Sequence, residues 1–382
     1  MFKETQCVHS GQHRDKATGG TNTPIYTSSA FEYRDRKEAM YPRYFNTPNQ
    51  RAVVQKMCAL EGAEDGVLFS SGMAAISTSV LALARSGDHV VMLDALYGGT
   101  HAFATGTFDS FGIRYSFSET DVDSIARATT PETKIIVIES PTNPLLAILD
   151  IRRVAEFARN RGILTVIDNT FATPVLQNPI TLGIDVVVHS GTKYLGGHSD
   201  LCCGIAVTSS ALTRRILAMA RHLGGSVNAI TCYLLERSLQ TLALRVERHS
   251  SNALKIAEFL ASVRTVKKVN YPGLPDFDGH QVARSQMRAF GGMLSFELDE
   301  AILSPSDFLK RLKLIIPAVS LGAVETLICS PAATSHSKIS AEERKRIGVT
   351  DSLLRLSVGI ENVEDLIDDL RNAFGESGAT CS

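Results

Sequence analysis

The chain of 382 residues is too long for one compact core and predicts two domains with an arm or linker. Its 39 Lys and Arg against 40 Asp and Glu leave no basic surplus for a phosphate backbone, which argues against a nucleic-acid partner. Nowhere do about 18 apolar residues run together, so no membrane span is predicted. The polar start, 1–6, lacks the apolar core of a signal peptide, and the seven cysteines lack the spacing of a metal site or disulfide scaffold. We therefore expect a cytoplasmic protein with reduced thiols, no metal and a small-molecule ligand.

Residues 1–46 are polar and show little periodicity, which predicts an extended N-terminal arm. From about residue 50 to 240, short apolar strands alternate with helical patterns. The predicted strands are 66–69, 89–93, 134–139, 164–168 and 184–189, and the predicted helices include 52–60, 73–84 and 151–161. Continuously apolar strands separated by helices predict a mainly parallel sheet that is covered on both faces.

The pattern changes beyond residue 240. A helical stretch over 229–260 precedes predicted elements of another kind, which are strands at 266–271 and 292–298 and an amphipathic helix at 361–374. This pattern predicts a smaller α+β domain. The predicted organisation is an arm over 1–46, an α/β domain over 47–244 and an α+β domain over 245–382.

The most informative residues follow a predicted strand, in the stretch Ser190-Gly191-Thr192-Lys193. The Lys193 amine can form an imine with an aldehyde cofactor, and the hydroxyls of Ser190 and Thr192 can hold a phosphate beside it. A lone lysine in a loop is more often simply solvated. The turn therefore needs support from other parts of the chain.

Three further features follow other predicted strands. Asp168 ends a strand, where its carboxylate can pair with a pyridinium nitrogen. Gly72 and Met73 lie at a strand-to-helix turn whose backbone N–H groups suit a phosphate, and Tyr97 offers an aromatic face for a pyridine ring. Taken alone, Asp168 is also a plausible helix cap and Tyr97 a plausible core residue. Together, these strand-end residues point to one crevice.

These segments and others resemble the Cys/Met-metabolism family of pyridoxal-phosphate enzymes, which includes cystathionine γ-synthase, cystathionine β- and γ-lyases and methionine γ-lyase. The resemblance covers nearly the whole chain. The matching segments are 41–43, 71–73, 96–98, 139–144, 168–170, 189–200, 318–322 and 354–359. The resemblance implies a fold-type-I pyridoxal-phosphate enzyme: an α/β protein with a mainly parallel central sheet flanked by helices, a smaller C-terminal α+β domain and an extended N-terminal arm.

The resemblance also implies how pyridoxal 5′-phosphate is bound. Lys193 would carry it as a Schiff base and transfer protons, Asp168 would bind the pyridine nitrogen, and Tyr97 would stack on the ring and assist proton transfer. The residues implied to hold the phosphate are Gly72, Met73, Ser190 and Thr192, with Tyr41 and Arg43 of a neighbouring subunit. A homodimer is then the minimal active unit, and a homotetramer is the expected assembly.

On the substrate side, the resemblance implies that Arg355 binds the carboxylate bidentately, with Asn143 and Ser320 nearby. Cystathionine-handling γ-enzymes often carry Glu at the position of Val319. Methionine γ-lyases and some β-lyases carry valine there. Gly99, in contrast, replaces the cysteine typical of methionine γ-lyases. The exchanged pair Thr47-Pro48 departs from the family pattern near the expected substrate entrance.

The leading hypothesis is a C–S lyase that acts on methionine or cystathionine through an external aldimine and a quinonoid intermediate. One alternative is a γ-replacement transferase of the cystathionine γ-synthase or homoserine-ester sulfhydrylase type. Another is a non-catalytic binding protein on the same fold. Loss of Lys193, Asp168 or Arg355 would favour the binding protein, and all three are present.

Overall fold

The computed structural model describes residues 1–35, 37–334 and 341–375. The chain forms two compact units. The first contains Met1–Ser140 and Asp150–Ala243, and the second contains Pro141–Leu149 and the chain from Leu244 onward. Asn143 therefore belongs to the second unit despite its position in the chain. Within the described ranges, no helix combines the length and the apolar character needed to cross a membrane.

A seven-stranded sheet organises the first unit. Its strands are β1 (Asp65–Phe69), β2 (His89–Leu93), β3 (Arg114–Ser118), β4 (Thr133–Glu139), β5 (Leu164–Asp168), β6 (Val186–Ser190) and β7 (Gly204–Thr208). They lie in the order β1-β7-β6-β5-β4-β2-β3. β7 is antiparallel to β1 and β6, and the other neighbours are parallel. The mainly parallel sheet predicted from the apolar runs is confirmed.

Helices precede, connect and follow these strands. They are α1 (Lys3–His9), α2 (Pro48–Glu61), α3 (Gly72–Leu83), α4 (Gly98–Thr107), α5 (Val122–Ala128), α6 (Ile151–Arg159), α7 (Thr173–Leu176), α8 (Ser210–Leu223) and α9 (Ala229–Leu239). Short 3-10 turns cover Pro42–Tyr44, Phe108–Phe111 and Pro179–Leu182. Apart from the edge strand β3, the strands of this sheet are almost entirely buried, which is typical of a parallel sheet with helices on its faces.

α2 begins at the exchanged pair Thr47-Pro48. Thr47 is its N-cap, and Pro48 occupies the first turn, where its missing N–H has no helical partner to lose. The Thr47 N–H donates to Gln50 Oε1 at 3.1 Å. The exchange therefore places two residues suited to a helix start at the positions where this helix starts.

The first residues form α1, a helix that the sequence pattern does not predict. Lys3 Nζ donates to the Leu60 carbonyl, and Lys56 Nζ donates to the Cys7 carbonyl at 2.8 Å. Both lysines are buried, so their ammonium groups fix α1 to α2. Residues 11–35 and 37–41 contain neither helix nor strand, as expected for an extended arm.

The second unit has a five-stranded sheet. Its strands are β8 (Val266–Asn270), β9 (Met293–Leu298), β10 (Ile316–Pro317), β11 (Leu327–Cys329) and β12 (Leu353–Ser357), in the order β10-β11-β12-β9-β8. β10 and β11 are parallel, and the other neighbours are antiparallel. The helices are α10 (Leu242–Ser262), which starts at the unit boundary, α11 (His280–Gln286), α12 (Pro305–Arg311), α13 (Ala341–Arg346) and α14 (Val363–Phe374).

One face of this second sheet is buried under helices. Alternate side chains of β9 and β12, such as Phe296 and Leu356, share a core with Ile256 of α10, Phe308 of α12 and Leu366 of α14. This arrangement confirms the predicted smaller α+β portion of the fold. The helical stretch predicted over 229–260 is divided into α9 and α10.

Candidate active site

Lys193 lies in a tight turn just beyond β6. Its N–H donates to the Ser190 carbonyl at 3.2 Å. The Thr192 hydroxyl exchanges two hydrogen bonds, each 3.2 Å long, with the backbone of Cys203. A Cβ on Gly191 would lie 2.3 Å from Cys203 Sγ, so only glycine fits at that position. The turn around the lysine is therefore fixed by backbone and hydroxyl contacts.

Asp168 is the last residue of β5, and one of its two carboxylate oxygens is hydrogen-bonded. Thr170 donates to Asp168 Oδ1 twice, from its N–H at 3.0 Å and from its hydroxyl at 2.5 Å. No described residue donates a hydrogen bond to Oδ2. Burial raises the pKa of Asp168 above its ordinary value, and the Thr170 hydrogen bonds oppose this rise. The carboxylate is thus oriented, with one oxygen left for a bound donor.

The N-terminus of α3 forms a cradle beside the Lys193 turn. Ser71 caps the helix, and its Oγ accepts from the Ala74 N–H at 3.0 Å. The N–H groups of Gly72 and Met73, in the first turn, have no helical acceptor and are directed outward, as an anion requires. A Cβ on Gly72 would lie 2.9 Å from Ser190 Cβ. Glycine therefore allows this close approach of α3 to the end of β6.

Tyr97 precedes α4, and its side chain is 46% exposed. Its N–H donates to Glu139 Oε2, at the end of β4, at 2.9 Å. A Cβ on Gly99 would lie 2.5 Å from Tyr97 Cε1 and 2.9 Å from Met73 Sδ. The absence of a side chain at Gly99 therefore lets the Tyr97 ring lie close to Met73.

The structure links three of the predicted cofactor residues, Asp168, Ser190 and Gly72, in a chain of contacts. Thr170 Oγ1, which binds Asp168, also accepts from the Ser190 N–H at 2.8 Å, and Ser190 lies against Gly72. Thr170 had no assigned role from the sequence, although a hydroxyl two residues after a strand-terminal aspartate is a usable signal. Across the described residues, no three His, Cys, Asp or Glu side chains are grouped to hold a metal ion.

Tyr41 and Arg43 lie in and beside the 3-10 turn Pro42–Tyr44, and both are exposed. Arg43 Nη1 donates to the Arg221 carbonyl at 2.9 Å. Its guanidinium lies 5.8 Å from the ring centroid of Tyr41 and 5.4 Å from that of Tyr44. These contacts hold the arginine at the surface of the first unit.

The predicted carboxylate-binding residues come together in the second unit. Arg355, on β12, is only 5% exposed. Its Nη1 donates to Asn143 Oδ1 and its Nη2 to the Ser320 carbonyl, both at 3.0 Å, while its Nε is buried without a hydrogen-bond partner in the described chain. A buried donor without an acceptor is unfavourable unless a ligand supplies one. The guanidinium is therefore a fixed cation with spare donor capacity.

Ser320, next to this guanidinium, has a φ of +92°, a conformation that serine rarely adopts. Such strained residues occur preferentially at functional sites. The neighbouring Val319 side chain is 67% exposed, so the structure gives it no role in the core of the unit. Of the four residues on the predicted substrate side, three are in contact and Val319 flanks them.

Comparisons with known proteins give matches along nearly the whole chain. The family model described as "Cys/Met metabolism PLP-dependent enzyme" matches residues 4–375. The chain is 44% identical to a cystathionine beta-lyase of Lactococcus lactis subsp. cremoris (strain MG1363), over 97% of this chain and 98% of that protein.

Two solved structures are similar along almost their whole length. Cystathionine gamma-lyase from Lactobacillus plantarum, complexed with L-serine, has a TM-score of 0.95 and 40% identity, covering 98% of this chain and 99% of that chain. Cystathionine gamma synthase from Xanthomonas oryzae pv. oryzae, in complex with aminoacrylate and cysteine, has a TM-score of 0.94 and 37% identity, covering 98% of both chains. Lyases and a synthase thus share this fold.

Proposed function

Because the chain belongs to the Cys/Met-metabolism family of pyridoxal-phosphate-dependent enzymes, we propose that it is a carbon–sulfur lyase that cleaves a thioether amino acid, methionine or cystathionine. The observation that carries this proposal is Arg355, a buried guanidinium fixed by Asn143 and Ser320 with its Nε unpaired. A guanidinium fork of this kind suits the carboxylate of an amino acid.

The residues of the first unit fit pyridoxal 5′-phosphate. The N–H groups of Gly72 and Met73 at the start of α3, with the hydroxyls of Ser190 and Thr192, would hold its phosphate. Asp168 Oδ2, which accepts from no described residue, would accept from the ring nitrogen. When bound, the cofactor supplies an electron sink for negative charge at the substrate Cα.

Lys193 and Tyr97 would move protons. Lys193 would bind the cofactor covalently through Nζ until the substrate amine displaces it. Its freed amine would then take the proton from the substrate Cα and pass it to the leaving sulfur. Tyr97, exposed beside Met73, would stack on the ring and assist this transfer. Arg355 would hold the substrate carboxylate so that the Cα–H bond keeps one orientation.

Products from cystathionine alone test the proposal. β-Elimination releases pyruvate, ammonia and homocysteine, whereas γ-elimination releases 2-oxobutyrate, ammonia and cysteine. We expect one of these keto acids to form without an added nucleophile, because a lyase needs only water to complete the reaction. Keto acid and thiol should be measured together, since the pair identifies the bond that breaks.

A γ-replacement transferase is the second candidate, supported by the similarity to a cystathionine gamma synthase. The same assay should therefore include O-succinylhomoserine and O-acetylhomoserine with cysteine. Formation of cystathionine from an ester, with no keto acid from cystathionine or methionine, would replace the lyase proposal with this one. Val319 offers no charge to a distal ammonium, so we expect no large preference for cystathionine over methionine.

We also propose a cytoplasmic homotetramer built from dimers in which Tyr41 and Arg43 of one subunit reach the phosphate held by its neighbour. Both residues are exposed on their own unit, which suits a contact with a second copy. The six cysteines in the described ranges are all free, which agrees with a reducing compartment.

Hybrid enzymes test the shared site. Arg43→Ala and Lys193→Ala should each have low activity as pure proteins, because each site then lacks one essential residue. Each mixed dimer would contain one intact site, so random mixing should restore about one quarter of wild-type activity. The measurement is the rate of keto-acid formation after subunit exchange.

Asp168→Asn mixed with Lys193→Ala is the matched control. These two residues would serve the same subunit's site, so every hybrid site would keep one defect and activity should stay low. Full activity of a monomer, or equal recovery in both mixtures, would contradict the shared site.

A further inference from the structure

A fully buried carboxylate binds the ends of β5 and β6 from the side of the sheet away from Asp168. Glu61, the last residue of α2, accepts at Oε1 from His189 Nε2 at 2.7 Å and from Asn169 Nδ2 at 3.0 Å. Its Oε2 accepts from Asn178 Nδ2 at 3.3 Å. Three donors hold this solvent-free carboxylate, and the proposed chemistry uses none of these contacts.

The position of this cluster relative to Asp168 follows from the strand register. Asp168 is the in-register partner of Val188 on the parallel strand β6, so their side chains share one face of the sheet. Alternation then places His189, the next residue, on the opposite face. Asn169 directly follows Asp168, and its N–H donates to the Val188 carbonyl at 2.9 Å. Glu61 therefore holds Asn169, which follows Asp168 in the chain, and His189, which follows the cross-strand partner of Asp168.

The His189 ring is fixed but incompletely satisfied. Its side chain has no solvent exposure. A carboxylate only accepts hydrogen bonds, so Nε2 carries the hydrogen that Glu61 receives. The other ring nitrogen, Nδ1, is buried and has no hydrogen-bond partner in the described part of the chain. Buried polar atoms of this kind are rare, and an electrostatic or catalytic role is one reason to retain them.

The surroundings of Asp168 also affect the pKa of its carboxyl group. Burial raises the pKa of Asp168, the Thr170 hydrogen bonds lower it, and the positive charge of a protonated His189 ring would also lower it. His189 therefore acts in the direction that favours the ionised carboxylate. An ionised Asp168 is the form that can keep a pyridine nitrogen protonated.

We propose that Glu61 and His189 are positioning residues for Asp168: they fix the ends of β5 and β6 and so hold the Asp168 carboxylate oriented toward the ring nitrogen of the cofactor. This inference rests on the proposed cofactor-binding function of Asp168. Neither residue needs to touch the cofactor, because Glu61 acts through Asn169 and His189.

Binding of two cofactor forms to the cofactor-free protein tests the inference. One is pyridoxal 5′-phosphate, and the other is its 1-deaza analogue, in which CH replaces the ring nitrogen. The measured quantity is the ratio of their dissociation constants. Asp168→Asn should lower the preference for the natural cofactor, because the charged acceptor for the ring N–H is lost.

Glu61→Gln keeps the size of Glu61 but replaces one acceptor oxygen with an NH₂ group that faces a donor. We expect its preference for the natural cofactor over the analogue to fall about tenfold, the factor that corresponds to 1.4 kcal/mol. His189→Gln retains a donor for Glu61 and removes the imidazole, and its preference should fall in the same direction. If Glu61→Gln does not fold, His189→Gln decides the question.

Asp185→Asn is the structural control. Asp185 Oδ2 accepts from the Thr165 N–H and hydroxyl, both at 2.8 Å, and so links the opposite ends of the same two strands. This variant should lower the unfolding temperature without changing the cofactor preference. An unchanged preference in Glu61→Gln and His189→Gln, with a reduced preference in Asp168→Asn, would overturn this inference but leave the role of Asp168 intact. An unchanged preference in Asp168→Asn would overturn the role of Asp168 itself.

Discussion

Lys193→Ala should abolish keto-acid formation while leaving the fold intact. The variant removes the only atom that is proposed both to bind the cofactor and to move the Cα proton, so we expect kcat to fall by about 10³-fold or more. The Lys193 turn is held by the backbone bond from Lys193 to Ser190 and by the hydrogen bonds between Thr192 and Cys203, none of which needs the lysine side chain. The unfolding temperature and the circular dichroism spectrum should therefore stay close to those of the wild type.

Lys193→Arg tests whether a positive charge at this position is sufficient for activity. A guanidinium stays protonated and is not a nucleophile here, so this variant should be as inactive as alanine. Lys134→Ala, at an exposed lysine of β4, is the matched control and should keep wild-type activity. Borohydride reduction of the wild type should add the cofactor mass to the peptide that contains Lys193. Near-native kcat in Lys193→Ala, or label on another peptide, would contradict the assignment.

The strands that end at the candidate site could be predicted from the sequence because each is a short apolar run that stops at a polar residue. The predicted strands 89–93 and 164–168 coincide with β2 and β5, whose side chains are largely buried. Since the carboxyl ends of parallel strands meet at one edge of a sheet, Asp168 and Ser190 could also be expected close together. The structure links them through Thr170.

Contacts between distant parts of the chain had no such signal. Glu61 and His189 are 128 positions apart, and neither residue type nor local period indicates that they pair. Asn143 and Arg355 are 212 positions apart, and only the family resemblance suggested them as neighbours. The seven-residue helix α1 is too short for a clear period of 3.6 residues, so burial of Lys3 and Lys56 could not be foreseen.

Asp168→Asn should have opposite effects on the cofactor-free protein and on the complex. Without cofactor, we expect a higher unfolding temperature at neutral pH, because burial raises the pKa of Asp168 and makes its ionised form unfavourable in the folded state. Asparagine keeps an Oδ1 that can accept both Thr170 hydrogen bonds. The variant therefore removes a partly buried charge and preserves the local contacts.

The pH dependence of this gain follows from the direction of the shift. Because the folded state holds the Asp168 proton more tightly than the unfolded state, wild-type stability falls as the pH rises from the ordinary aspartate pKa through the raised one. The advantage of Asp168→Asn should be complete above that window and should vanish below it. Thermal unfolding of both cofactor-free proteins across this range measures the difference.

Adding cofactor should reverse the order of stability. Loss of one charge-assisted hydrogen bond to the ring nitrogen is worth about 1.5–3 kcal/mol, so cofactor affinity should fall roughly 10- to 150-fold. The wild type then gains more stability from a given cofactor concentration than the variant does. Asp185→Asn is the control, because Asp185 accepts from the N–H and hydroxyl of Thr165 as Asp168 does from Thr170. It should bind cofactor normally and show no reversal, whereas a cofactor-free Asp168→Asn protein that melts below the wild type at neutral pH would contradict the prediction.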